Sequence, residues 1–187
     1  MPLMPAYVFL ILAVAWLAWM APFFLVKRGP GAQTIDRRAR WGIVLEGVGF
    51  AIVWQKPLWI AQPGVWRIGF GLAALALGSI LTWTSAMTLG RQWRFDAGLN
   101  ADHQLVQSGA YRIVRHPIYT SMLCMLLGTG LLLARVPLLI VAIAFFIAGT
   151  EIRVRIEDRL LAERFGAAFD AYRRRVHAYV PFLNALR

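Results

Sequence analysis

The sequence predicts an all-α integral membrane protein with about five transmembrane helices, a helical hairpin and a cytoplasmic C-terminal amphipathic helix. Of its 187 residues, 59% are hydrophobic and only 16% are charged, whereas soluble domains average roughly a half and a quarter. The apolar residues also come in blocks, because residues 3–26 and 68–90 carry no charge and 116–134 carry only His116 at the edge. Such blocks reach the length of about 20 residues that a helix needs to cross a bilayer.

Five apolar stretches are assigned as membrane spans. They cover residues 3–26, 41–61, 68–89, 117–134 and 137–151. The second stretch is the weakest, because it contains Glu46, Gln55 and Lys56, and polar side chains inside a membrane are costly unless they face protein or the interface. Two interpretations of Glu46 remain open: it pairs inside the helix bundle, or it reaches water at the cytoplasmic end of its helix.

The last two spans are predicted to form an antiparallel hairpin, because only Arg135, Val136 and Pro137 separate them. The apolar residues 137–150 are too few to cross a bilayer comfortably at 1.5 Å per residue. We therefore expect the fifth helix to continue without a break into the charged segment Glu151–Val176. That segment is amphipathic, with apolar residues at helical spacing: Ile156, Leu160, Leu161, Phe165, Phe169 and Tyr172.

The basic residues are distributed unevenly among the predicted loops. Of the 20 lysines and arginines, 17 fall in the first loop, the third loop and the C-terminal tail, and the three others are Lys56, Arg67 and Arg135. Cytoplasmic loops carry the excess of positive charge, so we expect the N-terminus outside and the tail in the cytoplasm. The net charge of +11 is thus a topology signal that also attracts anionic membrane lipids, and nucleic-acid binding is not expected.

Two other kinds of site are not supported by the sequence. The single cysteine, Cys124, cannot form an internal disulfide, and no Cys/His cluster has the spacing of metal ligands. The stretch Gly69–Ala74 fits a dinucleotide-binding fingerprint, but it lies inside an apolar span with no strand before it. Its small residues are expected to let helices pack closely. The sequence does not set an oligomeric state.

Polar residues concentrate in the loop from His103 to Tyr119, just before the fourth span. This loop contains two of the three histidines, two tyrosines and two arginines. Taken singly, the tyrosines suit the membrane interface and the arginines suit lipid headgroups. As an ordered string at the point where the chain enters the membrane, they indicate a functional site.

A second polar pair, Arg153 and Glu157, lies where the fifth helix leaves the membrane. Residues four apart occupy one face of a helix, so both side chains are expected at the depth of the Arg115–Tyr119 segment. One interpretation is a plain ion pair between them. The other is a polar cavity formed where the two helix ends meet beside lipid.

These residues resemble a known family, the isoprenylcysteine carboxyl methyltransferases, including prokaryotic members and the similar phospholipid methyltransferases. The residues that carry the resemblance are His103-x-Leu105-Val106-x-x-Gly109-x-Tyr111-x-x-x-Arg115-His116-Pro117-x-Tyr119, then Glu157-Asp158-x-x-Leu161 and Phe165-Gly166-x-x-Phe169-x-x-Tyr172. The match covers about residues 89–183. It implies a single membrane domain, with N-terminal helices in 1–89 and a methyltransferase core in 90–187, in a prokaryotic inner membrane with the active site facing the cytoplasm.

The resemblance also implies roles for individual residues. Those implied to hold the cofactor, S-adenosyl-L-methionine, are His103, Gln104, Leu105, Val106, Tyr111, His116, Pro117, Ile118, Tyr119 and Glu157. Arg153 is implied to lie near the carboxylate of the methyl acceptor. The sequence departs from the family pattern at Ser121, Asp158, Phe169 and His177, and none of these departures removes an expected cofactor contact.

The chemistry of these side chains agrees with the implied roles. An aromatic face stabilises a cation such as a sulfonium by roughly 0.5–2 kcal/mol, which Tyr111 and Tyr119 can supply. A forked guanidinium can hold a carboxylate through two hydrogen bonds, which is the role expected of Arg153.

The expected function is S-adenosylmethionine-dependent methylation of a lipophilic acceptor that enters from the bilayer. An isoprenylcysteine-like or lipid carboxylate is the favoured acceptor. Three alternatives remain: a phospholipid N-methyltransferase, a sterol-reductase-like oxidoreductase that uses NADPH, and a non-catalytic membrane protein.

Overall fold

Helices dominate the computed structural model, which describes residues 4–26, 34–92, 98–99 and 104–180. The α-helices in this part of the chain are α1 (Ala6–Leu25), α2 (Ala39–Val53), α3 (Val65–Leu89), α4 (Pro117–Leu133), α5 (Val136–Phe165) and α6 (Ala167–Arg175). The structure also contains a short strand pair, which the all-α prediction did not include. Strands β1 (Thr34–Ile35) and β2 (Gly98–Leu99) form a short antiparallel pair, with Thr34 opposite Leu99.

The helical lengths and surfaces are those of an integral membrane protein. Helices α1, α3 and α5 are long and apolar enough to cross a membrane, and α4 is a shorter apolar helix. Large apolar side chains such as Leu17, Phe24 and Phe70 are 71%, 77% and 67% exposed, which suits contact with lipid. Helix α2 has 15 residues and is therefore about 22 Å long, so the expected count of five spans stays a prediction.

Two predicted helix boundaries are wrong. The second helix ends at Val53 and a three-residue 3-10 turn, Lys56–Leu58, follows it. It does not continue to residue 61, because Pro57 has no N–H to donate to the carbonyl of Val53 and its ring would clash with that carbonyl in an α-helix. The fifth helix continues past Glu151 as expected but stops at Phe165. Gly166 has a φ of +50°, a left-handed conformation that glycine adopts readily, so the tail forms a separate helix.

Arg67 also differs from its predicted place in an outside loop. It lies in the first turn of α3 and is only 9% exposed. Its Nε donates to the carbonyl oxygen of Leu131 at 2.6 Å, and its terminal nitrogen donates to the carbonyls of Gly130 and Ala134. The last carbonyls of a helix have no partners within it and carry partial negative charge. Arg67 therefore satisfies and neutralises the C-terminal end of α4.

Glycines allow two antiparallel helix pairs to pack closely. In the pair α2–α5, a Cβ atom at Gly42 would lie 2.6 Å from the carbonyl oxygen of Gly149, and one at Gly149 would lie 2.5 Å from that of Gly42. In the pair α3–α4, a Cβ atom at Gly71 would lie 3.2–3.4 Å from atoms of Leu132 and Gly128, as expected for the small residues of 69–74, whereas one at Gly69 would meet no neighbouring atom within 4 Å. Small residues are typical of such membrane-helix contacts.

We expect Gly149→Ala to destabilise the protein by about 2 kcal/mol, because the added methyl group meets a backbone carbonyl that cannot move away. Thermal unfolding in detergent, followed by circular dichroism, measures the change. Gly69→Ala is the matched control, because its methyl group meets open space and should cost nothing. Equal melting temperatures for the two variants would contradict the close α2–α5 contact.

Candidate active site

A cavity of about 420 Å³ lies where α1, α2, α4, α5 and the segment before α4 meet. It is lined by nine of the eleven residues that the sequence singles out: Gln104, Leu105, Val106, Tyr111, His116, Ile118, Tyr119, Arg153 and Glu157. The cavity therefore brings the loop motif and the two polar residues of α5 together. Their roles in binding stay predictions.

The two other predicted residues do not line this cavity in the described structure. Pro117 is the first residue of α4, a position where its missing N–H and fixed φ are harmless. Its function is thus to start the helix that presents Ile118 and Tyr119. His103 lies outside the described residues, so its predicted cofactor contact stays a prediction.

The segment before α4 is shaped by a glycine and a short turn. Gly109 has a φ of +57°, and a Cβ atom there would lie 2.8 Å from Oγ1 of Thr88 on α3. The following 3-10 turn, Gly109–Arg112, buries Tyr111, whose carbonyl oxygen accepts a hydrogen bond of 2.6 Å from the hydroxyl of Tyr172 on α6. Helices α3 and α6 therefore hold the turn that carries Tyr111 against the cavity.

A network of charged side chains joins the start of α4 to α5. Nε2 of His116 lies 2.8 Å from Oδ1 of Asp158, and Nδ1 of the same ring lies 3.2 Å from Oε2 of Glu157. The second oxygen of Asp158 accepts from Arg115 at 2.6 Å, and that of Glu157 accepts from the hydroxyl of Tyr119. Glu157 thus holds two of the predicted site residues at once.

The His116 imidazole is positively charged at neutral pH. Burial opposes the charge and lowers its pKa, but hydrogen bonds with Asp158 and Glu157 and the charges of these carboxylates outweigh burial and raise the pKa to about 9. An imidazolium donates from both ring nitrogens, which agrees with a carboxylate oxygen at each nitrogen. The site therefore presents a cation and a carboxylate, His116 and Glu157, side by side.

We expect the stability that wild type has over His116→Gln to depend on pH. Because the folded pKa is raised above the unfolded value of 6.5, this advantage is full below about pH 6.5 and is lost as pH rises through about 9, by an amount on the order of 3 kcal/mol. Thermal unfolding of both proteins between pH 6 and pH 10 measures it. A constant difference across this range would mean that His116 is not charged in the folded state.

The residues after α6 run along the start of α4 and fasten it. The backbone N–H groups of Arg115 and His116 donate to the carbonyls of His177 and Ala178, both at 2.8 Å. The hydroxyl of Thr120 donates to the carbonyl of Tyr179 at 2.6 Å. His177, one of the departures from the family pattern, thus contributes its backbone carbonyl to this contact.

Glu46 on α2 is a site residue that the sequence did not identify. It is 2% exposed, its Oε2 accepts from Arg153 at 2.8 Å, and its Oε1 accepts from Thr150 at 3.1 Å. The guanidinium of Arg153 also lies over the ring of Tyr119, 4.8 Å from its centroid. Of the two interpretations of Glu46, the pairing inside the bundle is therefore confirmed. The feature of the sequence that could have identified Glu46 as a site residue is its position as the one carboxylate in an apolar helix.

The opposite wall of the cavity is apolar and comes from α1 and α2. It includes Trp19, Phe23, Ile43 and Phe50, which the sequence had assigned only to membrane spans. Ile43 lines the cavity and is 45% exposed, so this wall reaches the surface of the helix bundle. The indole of Trp19 donates to the hydroxyl of Ser121 at 3.2 Å, which links α1 to α4.

Among the described residues, no group of three or more His, Cys, Asp and Glu side chains is placed to hold a metal ion.

Comparison with known proteins gives a match that covers more than half of the chain. The family model described as phospholipid methyltransferase matches residues 66–168. The protein-S-isoprenylcysteine O-methyltransferase B of Arabidopsis thaliana is 35% identical over 124 residues, which are 64% of this chain and 61% of the relative. The cobalt-zinc-cadmium resistance protein CzcN of Cupriavidus metallidurans is 33% identical over 144 residues, covering 66% and 65% of the two chains.

A solved structure with the same fold is also found. The eukaryotic intramembrane Ras methyltransferase ICMT superimposes with a TM-score of 0.54 at 21% sequence identity, over 95% of this chain and 64% of that chain. At this identity the likeness concerns the fold alone. The chain spans about three fifths of the length of the Arabidopsis relative and of this solved structure.

Proposed function

We propose that this chain, which belongs to the phospholipid methyltransferase family, is a membrane enzyme that uses S-adenosylmethionine to methylate the carboxylate of a lipophilic acceptor. The observation that carries the proposal is the convergence of His116, Tyr119, Glu157 and Arg153 on one cavity. An isoprenylcysteine-like carboxylate is the favoured acceptor, because several relatives are named for that chemistry.

The dimensions and donor set of the cavity fit S-adenosylmethionine. Its volume of about 420 Å³ lies within the range of small-molecule sites, about 300–1,000 Å³. Buried faces of Tyr111 and Tyr119 line it, and aromatic faces attract cations such as a sulfonium. Glu157, whose side chain is 24% exposed, can accept hydrogen bonds from ribose hydroxyls or an ammonium. S-adenosylmethionine supplies an electrophilic methyl group when it is bound.

The acceptor is assigned to the side of the cavity that α1 and α2 form. Trp19, Phe23 and Phe50 offer an apolar surface there, and Ile43 brings this surface to the lipid-facing side of α2. Arg153 lies at the polar end of the same cavity. An acceptor whose carboxylate contacts Arg153 can therefore keep its apolar chain among these side chains and the lipid.

The residues of the site have little proton chemistry to perform. A carboxylate acceptor is already ionised, so no general base is required, and the protein contributes mainly by holding the reacting groups at the right distance. The fork of Arg153 orients the acceptor carboxylate. Transfer to a carboxylate removes both reacting charges, which a site of low polarity favours.

Titration with S-adenosylhomocysteine, by calorimetry on the purified protein in detergent, tests the cofactor. We expect the protein to bind S-adenosylhomocysteine and not NADPH. The reductase alternative predicts the opposite result. Transfer of a radiolabelled methyl group to N-acetyl-S-farnesylcysteine then tests the acceptor. Phosphatidylethanolamine is the comparison substrate, and its methylation in place of the acid would assign the chain to phospholipid N-methylation.

We also propose that the cavity faces the cytoplasm, on the strength of the distribution of basic residues. A Ser108→Cys variant is therefore expected to resist membrane-impermeant thiol reagents in intact cells and to react after permeabilisation. Ser108 is exposed, whereas the native Cys124 is buried and gives a low background. Modification of Ser108→Cys in intact cells would place the site on the other side of the membrane.

A further inference from the structure

Glu46 is a buried carboxylate that lies outside the family match. The match begins at residue 66, whereas Glu46 belongs to α2 and reaches the cavity from the N-terminal half of the chain. At 2% exposure it has lost its hydration, so the protein must stabilise its charge.

The carboxylate of Glu46 is held by two side chains of α5. Thr150 donates to one oxygen at 3.1 Å and Arg153 donates to the other at 2.8 Å. The glycine contact between α2 and α5 allows this, because Gly42, one turn before Glu46, lies against Gly149 and Arg153. The packing of α2 on α5 therefore sets the position of Glu46 against the guanidinium.

Arg153 is consequently neutralised before any acceptor arrives. Its guanidinium contacts the carboxylate of Glu46 and the face of Tyr119, and it lines the cavity at the same time. An acceptor carboxylate that reaches Arg153 is a second anion close to the same cation. The carboxylates of Glu46 and of the acceptor, both in contact with one guanidinium in a partly buried site, repel each other appreciably.

We propose that Glu46 is a displaceable counter-ion of Arg153, which weakens the binding of the acceptor carboxylate and favours release of the methylated product. The inference rests on the proposed function, because it concerns the acceptor of that methyl transfer. Glu46 acts through Arg153 and is therefore a positioning residue.

The sequence of charges during the reaction explains the release. One oxygen of the acceptor carboxylate forms a bond to the methyl carbon, and the electron pair of the broken carbon–sulfur bond stays on sulfur. The acceptor then becomes a neutral ester. An ester no longer competes for a guanidinium as an anion does, so Glu46 regains Arg153 and the ester leaves.

The test compares the binding of an acid and its ester to Glu46→Gln and wild type. The ligands are N-acetyl-S-farnesylcysteine and its methyl ester, and the readout is the fluorescence of the tryptophans, of which Trp19 lines the cavity. Glutamine keeps the size and the hydrogen-bonding capacity but removes the charge. We expect Glu46→Gln to bind the acid about tenfold more tightly and the ester more tightly by a smaller factor, with the affinity for S-adenosylhomocysteine unchanged.

Turnover provides a second readout that a structural role would not produce. Glu46→Gln is expected to show a lower KM for the acid together with a lower kcat, because tighter binding of the ground state raises the barrier from it. Thr150→Val, which removes one hydrogen bond from Glu46, should shift the acid affinity in the same direction by a smaller factor. The Thr150→Val variant can therefore test the inference if Glu46→Gln does not fold.

Glu151→Gln is the matched control. Glu151 lies on α5 but pairs with Tyr179 and Arg155, so its substitution should leave the ratio of acid to ester affinity unchanged. Weaker binding of acid and ester alike in Glu46→Gln, or an unchanged ratio, would overturn the inference. A wild-type protein that binds no S-adenosylhomocysteine and transfers no methyl group would overturn the proposed function. If wild type binds the cofactor product and transfers the methyl group, but Glu46→Gln has the same ratio of acid to ester affinity, the inference alone is overturned.

Discussion

Replacement of Glu157 by glutamine is expected to weaken S-adenosylhomocysteine binding about 30-fold or more. The carboxylate is held in the cavity by His116 and Tyr119, so its charge is available at a fixed position for hydrogen bonds from the cofactor. Loss of one hydrogen bond to a charged group costs about 2 kcal/mol, which corresponds to roughly 30-fold in affinity. Calorimetric titration of the purified variant gives this change directly.

The control for this prediction is Glu163→Gln on the same helix. Glu163 is exposed and does not line the cavity, so its substitution should leave the affinity unchanged. A folded Glu157→Gln protein with wild-type affinity would show that Glu157 only braces His116 and Tyr119 against α5.

Replacement of Arg153 by lysine is expected to slow methyl transfer about 100-fold while S-adenosylhomocysteine still binds. Lysine retains the positive charge beside Glu46 but loses the planar fork that holds a carboxylate through two hydrogen bonds. It also loses the stacking of the guanidinium on Tyr119. A misplaced acceptor reacts slowly, because small errors in the position of reacting atoms can cost about 100-fold in rate.

Single-turnover methylation of N-acetyl-S-farnesylcysteine measures the rate, and calorimetry with S-adenosylhomocysteine measures the cofactor affinity. Arg155→Lys is the matched control, because Arg155 lies on the same helix with a side chain that is 69% exposed. Near-normal turnover of Arg153→Lys, or loss of its cofactor binding, would contradict the role assigned to Arg153.

The long apolar stretches of the fold were predictable from the sequence because few other structures can bury or solvate them. The uncharged residues 3–26 and 68–90 contain α1 and α3, and the short connection at Arg135 made an antiparallel pair of α4 and α5 the natural arrangement. The end of α2 was harder to predict. The residues after Val53 are still apolar in part, and Pro57 ends the α-helix because it has no N–H to donate to the carbonyl of Val53.

The polar side of the site was also predictable, for a topological reason. The motif around His116 starts α4, and Glu157 lies near the end of α5, so a tight α4–α5 hairpin returns the chain to the same end of the helix pair. Spacing along one helix explained why Arg153 and Glu157 share a face. These local rules therefore brought the two polar groups together before any tertiary contact was known.

The partners of these residues were not predictable, because they are distant in the sequence. Glu46 and Arg153 are 107 residues apart, and Arg67 and the carbonyl of Ala134 are 67 apart. No periodicity or spacing encodes such a pair, since each depends on how two helices pack. The apolar wall formed by Trp19 and Phe50 has the same difficulty, because an apolar residue facing a cavity has the same local pattern as one facing lipid.

The pairing of Glu46 with Arg153 has a consequence for the biogenesis of the protein. Helix α2 leaves the ribosome long before α5, and if it is the predicted second span, it enters the membrane with a carboxylate that is costly in lipid until it has a partner. Helix α5 in turn carries the guanidinium that neutralises this carboxylate. In that case α2 is placed stably only after α5 has been synthesised, so the part of the candidate site that α2 contributes is completed after the C-terminal part has been translated.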